Sequence, residues 1–275
     1  MIKNIRVSGF SRRPAIALEL GDSNDHEYGV KIAFKTPSGQ LPKTDLLIVL
    51  SAEGKKPKLP SGVSVPPNAL KSFGGESRET RFADAVEGPA ARVLLIGLGK
   101  GKKIDPDTVR RAAAIAVQKA EKTDAASATF WIDLALGKQA AELGQALGEG
   151  IVMGAYRLTD FKSAPKTESL KKVSIHAVTD FNRGAKIGEM TGGGNALSRR
   201  LQDTPANKMR PKDMVAEARK IARLSPRISV KAIDEKGMAK LKMGSLLSVS
   251  QGSAEPAYLI HLVYKPAKKA KRRIC

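Results

Sequence analysis

Short apolar runs alternate with amphipathic segments along most of the chain. Asp45–Ser51, Arg92–Ile96 and Ser127–Ile132 are apolar enough to form buried strands. Asp105 precedes a proline and then apolar residues at helical spacing, which predicts a helix with Asp105 as its N-cap. Lys172–Val178 alternates in polarity, which predicts a strand with one wet face. Strands and helices that alternate in this way predict an α/β fold with a parallel or mixed sheet.

A second series of elements begins near residue 182. Helices are predicted over Gln139–Leu158 and Asn182–Leu201, although glycines at 192–194 weaken the middle of the latter. Lys55–Gly75, rich in proline and glycine, predicts an exposed loop. The later elements are a helix over Met214–Leu224 opened by Pro211, a strand over Ile228–Ile233, a helix over Asp234–Leu241 and a strand over Tyr258–Tyr264. We therefore expect two domains, 1–181 and 182–275, joined by a linking helix.

The net charge of +21 is distributed unevenly. Residues 1–150 hold 22 Lys and Arg against 17 Asp and Glu, whereas residues 151–275 hold 26 against 10. No acid follows Glu255, and the basic residues beyond it are Lys265, Lys268, Lys269, Lys271, Arg272 and Arg273. Such a field favours polyanions, but aromatic residues are not interleaved with the charge. Nucleic-acid binding is therefore one alternative, beside a basic solvated surface or an imbalance left by a missing acidic segment.

The sequence also indicates the cellular compartment in which the protein is expected. No apolar run approaches the roughly 18 residues of a membrane span. Met1–Pro14 is basic but lacks the apolar stretch of a secretory signal, and a very short transit peptide is the alternative there. Cys275 is the only cysteine, which excludes internal disulfides and a thiolate metal cluster. We expect a cytoplasmic protein.

A glycine-rich turn is one candidate site. Gly97-Leu98-Gly99-Lys100-Gly101 lies between a predicted strand and a predicted helix, where phosphate-binding loops occur. Its GxGxG spacing differs from the GxGxxG dinucleotide fingerprint, and Lys100 is followed by glycine rather than by the Ser or Thr of a Walker loop. A tight strand-to-helix turn is the favoured interpretation.

The other chemically capable side chains are scattered. The histidines are His26, His176 and His261. None has a partner at metal-ligand spacing. Carboxylates that spacing alone cannot pair include Asp180, Asp203 and Asp213. No GxSxG nucleophile elbow occurs, and Ser248–Pro256 is predicted to be a helix-to-strand turn that could line a cleft. The sequence therefore assigns no catalytic, cofactor-binding or metal-binding residue.

Several segments, in order along nearly the whole chain, resemble the leucyl (cytosol) aminopeptidase family. Leu197–Asn207 resembles its LxRxLxNTPPN segment, and Leu247–Pro256 is similar to AVGQGSxxPP. Tyr258–Pro266 resembles the strand that ends in YKP. Upstream, Arg92–Gly101 resembles RVLLVGLGK and Gly150–Lys162 resembles G…LxxYxFxxFK. The chain departs from these patterns at Asp203, Ala206 and Ser250.

The resemblance implies a fold and an activity. The fold is an N-terminal three-layer α/β (macro-like) domain followed by a zinc-peptidase-like α/β domain, which would be incomplete here. The family's members are typically homohexamers that release N-terminal amino acids from peptides with two divalent metal ions, often zinc, manganese or magnesium. The family's ligands begin after the strand that follows YKP, in the block VGKGxTFDSGG, and continue through NTDAEGR; neither block occurs among the 275 residues.

The resemblance therefore predicts a front half without its metal site. Arg273-Ile274-Cys275 looks like the opening of the strand that precedes the first ligand block. We expect this chain alone to bind no metal, to be inactive, and to expose an unpaired apolar sheet edge in its second half. Two alternatives stay open. One is a basic module that contacts nucleic acid, and the other is a structural subunit that assembles with full-length copies.

Overall fold

The computed structural model describes residues 30–36, 41–101, 104–132, 139–164 and 169–267. The strands are β1 (Lys31–Lys35), β2 (Thr44–Ser51), β3 (Thr80–Asp84), β4 (Ala90–Gly97), β5 (Ser127–Trp131), β6 (Lys172–His176), β7 (Ile228–Asp234) and β8 (Tyr258–Tyr264). The helices are α1 (Pro67–Lys71), α2 (Pro106–Ala120), α3 (Ala140–Ala155), α4 (Thr179–Asp203), α5 (Pro211–Arg223), α6 (Glu235–Lys240) and α7 (Gly244–Ser250). The described residues form two compact units, 30–205 and 206–267.

The first unit is built on a six-stranded sheet in the order β1-β6-β5-β2-β4-β3. Every neighbouring pair is parallel except β3 and β4. Parallel strands of one sheet need crossover connections, and α2 and α3 provide them between β4 and β5 and between β5 and β6. Seven of the eight residues of β2 are buried, as its nearly continuous apolar sequence requires. The predicted α/β class with a mostly parallel sheet is confirmed.

Each face of this sheet has its own core. One face packs against α2, α3 and α4 through residues such as Val109, Leu147 and Phe181. The other face is covered partly by Val63 and Phe73, which belong to the proline-rich segment 55–75. The prediction of an exposed loop there is wrong in part. The segment contains α1 and buries apolar side chains on the sheet.

Strand β6 corrects a second prediction. A wet face was expected from the alternation of Lys172–Val178, but Val173, Ser174, Ile175 and His176 are all buried. The reason is position. Strand β6 lies inside the sheet between β1 and β5, its residues Val173 and Ile175 belong to the core on one face, and His176 stacks on Trp131 on the other. Two strands, β1 and β3, were not predicted at all.

Glycines bring α3 and α4 into close contact. A Cβ added at Gly144 would lie 2.9 Å from the carbonyl carbon of Phe181, and one added at Gly148 would lie 2.9 Å from the amide nitrogen of Glu189. A Cβ at Gly184 would lie 2.7 Å from the carbonyl carbon of Ala141. Helix α4 is continuous for 25 residues, and the predicted weakness at 192–194 does not interrupt it. The helix propensity lost at glycine is offset by close packing.

The second unit is smaller and more exposed. Strands β7 and β8 form an antiparallel pair, α5 packs on both strands, and Asp234 caps α6 by accepting a hydrogen bond from the Gly237 amide at 2.8 Å. Helix α7 includes Ser248–Ser250, so the predicted turn over Ser248–Pro256 begins three residues too early. Within the ranges that the structure describes, no helix is long and apolar enough to cross a membrane.

Candidate functional site

The first three backbone amides of the glycine turn 97–101 donate hydrogen bonds to carbonyls elsewhere in the first unit. The Gly97 amide donates to the Glu79 carbonyl at 2.9 Å, the Leu98 amide to Ser51 at 2.9 Å, and the Gly99 amide to Gly75 at 2.9 Å. Gly99 has φ +73°, which favours glycine. These amides are therefore not available to cradle a phosphate. The interpretation as a tight strand-to-helix turn agrees with this geometry.

An open cleft lies beside this turn, at the start of α2. Its charged residues include Arg78, Arg111 and the carboxylates Asp105 and Asp107. Asp105 accepts hydrogen bonds from the Thr108 amide at 2.8 Å and the Thr108 hydroxyl at 2.7 Å. The hydrogen bond from the amide is the largest of the causes that lower the pKa of Asp105. Asp107 is bound by Arg111 at 2.6 Å. The helix terminus is thus capped by the chain's own carboxylate, as the sequence predicted.

The two histidines that the structure describes, His176 and His261, belong to different units. His176 is buried at the end of β6, with its ring centroid 6.1 Å from that of Trp131. Burial, followed by the charge of Lys35, lowers the pKa of His176. His261 lies on exposed β8 in the other unit, and His26 lies outside the described residues.

The carboxylates singled out from the sequence have separate structural partners. Asp203 accepts a hydrogen bond from the Tyr156 hydroxyl at 3.0 Å. Asp180 pairs with Arg183 at 3.2 Å. Asp213 accepts a hydrogen bond from the Arg210 amide at 3.0 Å, which is the first cause that lowers the pKa of Asp213. Asp180 and Asp213 pair within the first turns of their own helices, whereas Asp203 joins the end of α4 to Tyr156 at the end of α3.

The ligand side chains that the structure describes do not group around a possible metal ion. Across the described part of the chain, no group of three or more His, Cys, Asp or Glu side chains lies close enough together to hold an ion. Two-metal hydrolysis needs several such ligands around each pair of ions. The residues that the structure describes therefore do not supply the metal site that the family resemblance implies for a complete enzyme.

Glu149, which sequence reasoning missed, is a carboxylate that connects three helices. It accepts hydrogen bonds from Arg110 at 2.8 Å, Gln145 at 2.9 Å and Thr191 at 2.8 Å, and so joins α2, α3 and α4. Burial raises the pKa of Glu149, but the hydrogen bonds outweigh burial and leave it below its ordinary value. The sequence feature that could have indicated this site is an acidic residue within a glycine-rich, apolar helix.

Known proteins match both units in chain order. The model of the cytosol aminopeptidase family, N-terminal domain, matches residues 67–165, and that of the same family's catalytic domain matches residues 196–275. The chain belongs to the cytosol aminopeptidase family. Together, the two matches to this family include the glycine turn, helix α3 and all of β7 and β8.

Curated relatives in the cytosol aminopeptidase family are about one third identical. A "Probable cytosol aminopeptidase" of Aquifex aeolicus is 30% identical over 205 residues, which are 74% of this chain and 41% of that protein. A protein of the same name from Chlorobium phaeobacteroides is 32% identical over 260 residues, 87% of this chain and 49% of that protein. The chain thus spans less than half the length of these two relatives.

Solved structures agree on the aminopeptidase-like fold. The bottromycin maturation enzyme BotP superimposes with a TM-score of 0.69 at 26% identity, over 82% of this chain and 47% of BotP. A tomato leucine aminopeptidase mutant gives a TM-score of 0.73 over 88% of this chain and 52% of its own, and its 23% identity supports the fold alone.

Proposed function

We propose that this chain supplies the N-terminal domain and the first part of the catalytic domain of a leucyl aminopeptidase, which releases N-terminal amino acids from peptides. The observation that carries the proposal is the pair of in-order matches to both domains of one family. We retain 1–181 and 182–275 as the proposed domains, with α4, which begins at Thr179, as the linking helix. The names of the relatives also support a cytoplasmic location.

The complete enzyme would use two divalent metal ions, with zinc, manganese or magnesium as candidates. A BotP structure in complex with Mn supports metal use by a related fold. Bound metal would polarise the scissile carbonyl and activate water. Because the described residues bring no such ligand group together, we propose that the 275-residue polypeptide by itself binds no catalytic metal and hydrolyses no peptide. Assembly into a homohexamer is proposed for the complete enzyme only.

A chimera tests the aminopeptidase proposal directly. Residues 1–275 are fused to the part of the Chlorobium phaeobacteroides relative that follows its matched region. We expect the chimera to hydrolyse leucine p-nitroanilide in the presence of Mn²⁺ and to lose this activity with a chelator. The unfused 275-residue chain is the control and should show no hydrolysis. A folded, metal-loaded chimera without activity would contradict the proposal.

The second candidate is a binding or assembly module without catalysis. It is favoured by the exposure of the second unit, where none of the fourteen residues of β7 and β8 is buried. It is also favoured by the positive charge of residues 151–275. On this view the chain contacts full-length subunits or nucleic acid. Mass measurement of a mixture with a full-length relative distinguishes the first partner, and DNA binding that weakens with salt distinguishes the second.

A further inference from the structure

The cleft beside the glycine turn lies at the end of the sheet where α/β proteins bind ligands. It adjoins Gly97, the last residue of β4, and the first turns of α2. Ligands of such sheets bind in crevices outside the carboxyl ends of the strands. The cleft has a volume of about 170 Å³, below the roughly 300–1,000 Å³ of pockets that take drug-sized molecules. Its position and size therefore suit a small metabolite.

Backbone hydrogen bonds fix the wall of the cleft that residues 75–78 form. The Arg78 amide donates to the Gly97 carbonyl at 3.1 Å, and the Gly99 amide donates to the Gly75 carbonyl at 2.9 Å. A Cβ added at Gly97 would lie 2.7 Å from the carbonyl carbon of Gly75, so the two segments are in direct contact. Arg78 has φ +67°, a conformation that residues other than glycine seldom adopt. The neighbouring segments therefore hold the Arg78 backbone in one position at the cleft.

Two groups of opposite charge in the cleft keep free bonding positions. The Arg78 guanidinium forms no ion pair or hydrogen bond with any residue that the structure describes. Asp105 caps α2 through Oδ1, which accepts both bonds from Thr108, and its Oδ2 accepts no bond from another described residue. Asp107 and Arg111, in contrast, bind each other at 2.6 Å. The cleft therefore offers one guanidinium and one carboxylate oxygen to a ligand.

The wall of the cleft also includes apolar side chains. Ala112 and Ile115 follow at i and i+3 spacing on α2 and lie on the same side of the helix. A free α-amino acid carries three complementary groups, because its carboxylate pairs with a guanidinium, its ammonium pairs with a carboxylate and its side chain packs on apolar groups. We propose that this cleft binds a free α-amino acid with a small aliphatic side chain, such as leucine, with its carboxylate at Arg78 and its ammonium at Asp105.

The amino-acid site does not rest on the aminopeptidase proposal, because the cleft lies within the first unit and binding is measured without hydrolysis. Saturation-transfer NMR follows L-leucine in the presence of the full 275-residue chain. We expect a Kd of about 1 mM, the affinity of a small ligand that makes few contacts. Leucinamide lacks the carboxylate and isocaproate lacks the ammonium. Each should bind about tenfold more weakly than leucine, because each loses one charged hydrogen-bonding group.

Two variants each remove one charged group and keep the local backbone. Arg78→Gly removes the guanidinium, and glycine suits φ +67°. Asp105→Asn removes the negative charge and keeps an N-cap acceptor for the Thr108 amide. We expect each variant to weaken leucine binding about tenfold. Arg92→Gln, at an exposed ion pair on β4, is the control and should leave the Kd unchanged.

The two variants also differ in which ligands they distinguish. Arg78→Gly should bind leucine and leucinamide equally, because the group that recognises the carboxylate is gone, whereas Asp105→Asn should still prefer leucine to leucinamide. Equal binding of leucine and isocaproate by the unmodified chain would indicate a simple anion site and would overturn the proposal. So would the absence of saturation transfer to leucine, or an unchanged Kd in both folded variants.

Discussion

Helix α4 offers a matched pair of glycines with opposite expected effects. Gly184 packs on α3, and an added Cβ would lie 2.7 Å from the carbonyl carbon of Ala141 and 2.9 Å from its Cα. Gly194 lies on the same helix, and an added Cβ would meet nothing within 4 Å. Alanine is favoured over glycine inside a helix by about 1 kcal/mol at both positions. Packing therefore decides whether the Gly→Ala substitution stabilises or destabilises the protein.

At Gly184 the steric cost exceeds the gain in helix propensity. Real Cβ atoms essentially never lie within 3.0 Å of another heavy atom, so the neighbouring atoms would have to move. These neighbours are backbone atoms of α3. Overpacking a close contact costs about 1–3 kcal/mol or more. Because the overlap is with backbone atoms, we take the upper end, about 3 kcal/mol; after the gain of about 1 kcal/mol, Gly184→Ala should lower the free energy of unfolding by about 2 kcal/mol. A loss of that size lowers Tm by roughly 4–8 °C for a unit of this size.

Thermal unfolding followed by far-UV circular dichroism measures both variants. Gly194→Ala is the control and should raise the free energy of unfolding by about 0.5–1 kcal/mol. The same direction of change in both variants would refute the packing argument. An unchanged Tm for Gly184→Ala would show that α3 and α4 separate without cost.

Further predictions concern charge and acid stability. Glu149→Gln should destabilise the first unit by about 1–3 kcal/mol, because its three partners lose a carboxylate. Asp84→Asn, at an exposed pair with Arg92, should change stability by under about 0.5 kcal/mol when both variants are measured by urea titration. Because the pKa of Glu149 is lowered from 4.5, its contribution should be present above that pH and lost as the pH falls below it, and Glu149→Gln should flatten this dependence. The pKa of His176 is lowered from 6.5, so the folded state binds this proton less readily than the unfolded state does. Stability should therefore decline as the pH falls below 6.5, and His176→Gln should remove that decline; an unchanged profile would contradict it.

Strong local patterns predicted the elements of the fold well. The apolar runs at β2, β4 and β5 and the capped start of α2 correspond to elements in the structure. Strand β8 coincides with Tyr258–Tyr264 as predicted. Local sequence is enough to predict these segments, because helical periodicity, a capping residue or a run of β-branched and aliphatic residues identifies the element.

The missed elements depend on tertiary contacts. Strands β1 and β3 are five residues each, and only pairing with β6 and β4 makes them strands. Burial of both faces of β6 follows from its place in the sheet, which its alternating sequence does not reveal. From sequence alone, the glycines of α3 and α4 predict weakened helices. Only the packing of one helix on the other shows why glycine is suited to these positions.

The network at Glu149 could not be derived from spacing, since Arg110 is 39 residues away and Thr191 is 42 residues away. Only the pair Gln145 and Glu149 has helical spacing. Family motifs, in contrast, were specific as a set, and the two family matches confirm the resemblance that they indicated.

Metal binding and hydrolysis by the purified 275-residue chain test the central claim most directly. The chain is dialysed against Mn²⁺ or Zn²⁺, its bound metal is measured, and leucine p-nitroanilide hydrolysis is followed beside a full-length relative. We predict no stoichiometric metal and no hydrolysis, because no described group of side chains can hold the ions. Hydrolysis of the substrate by this chain, abolished by a chelator, would contradict the claim.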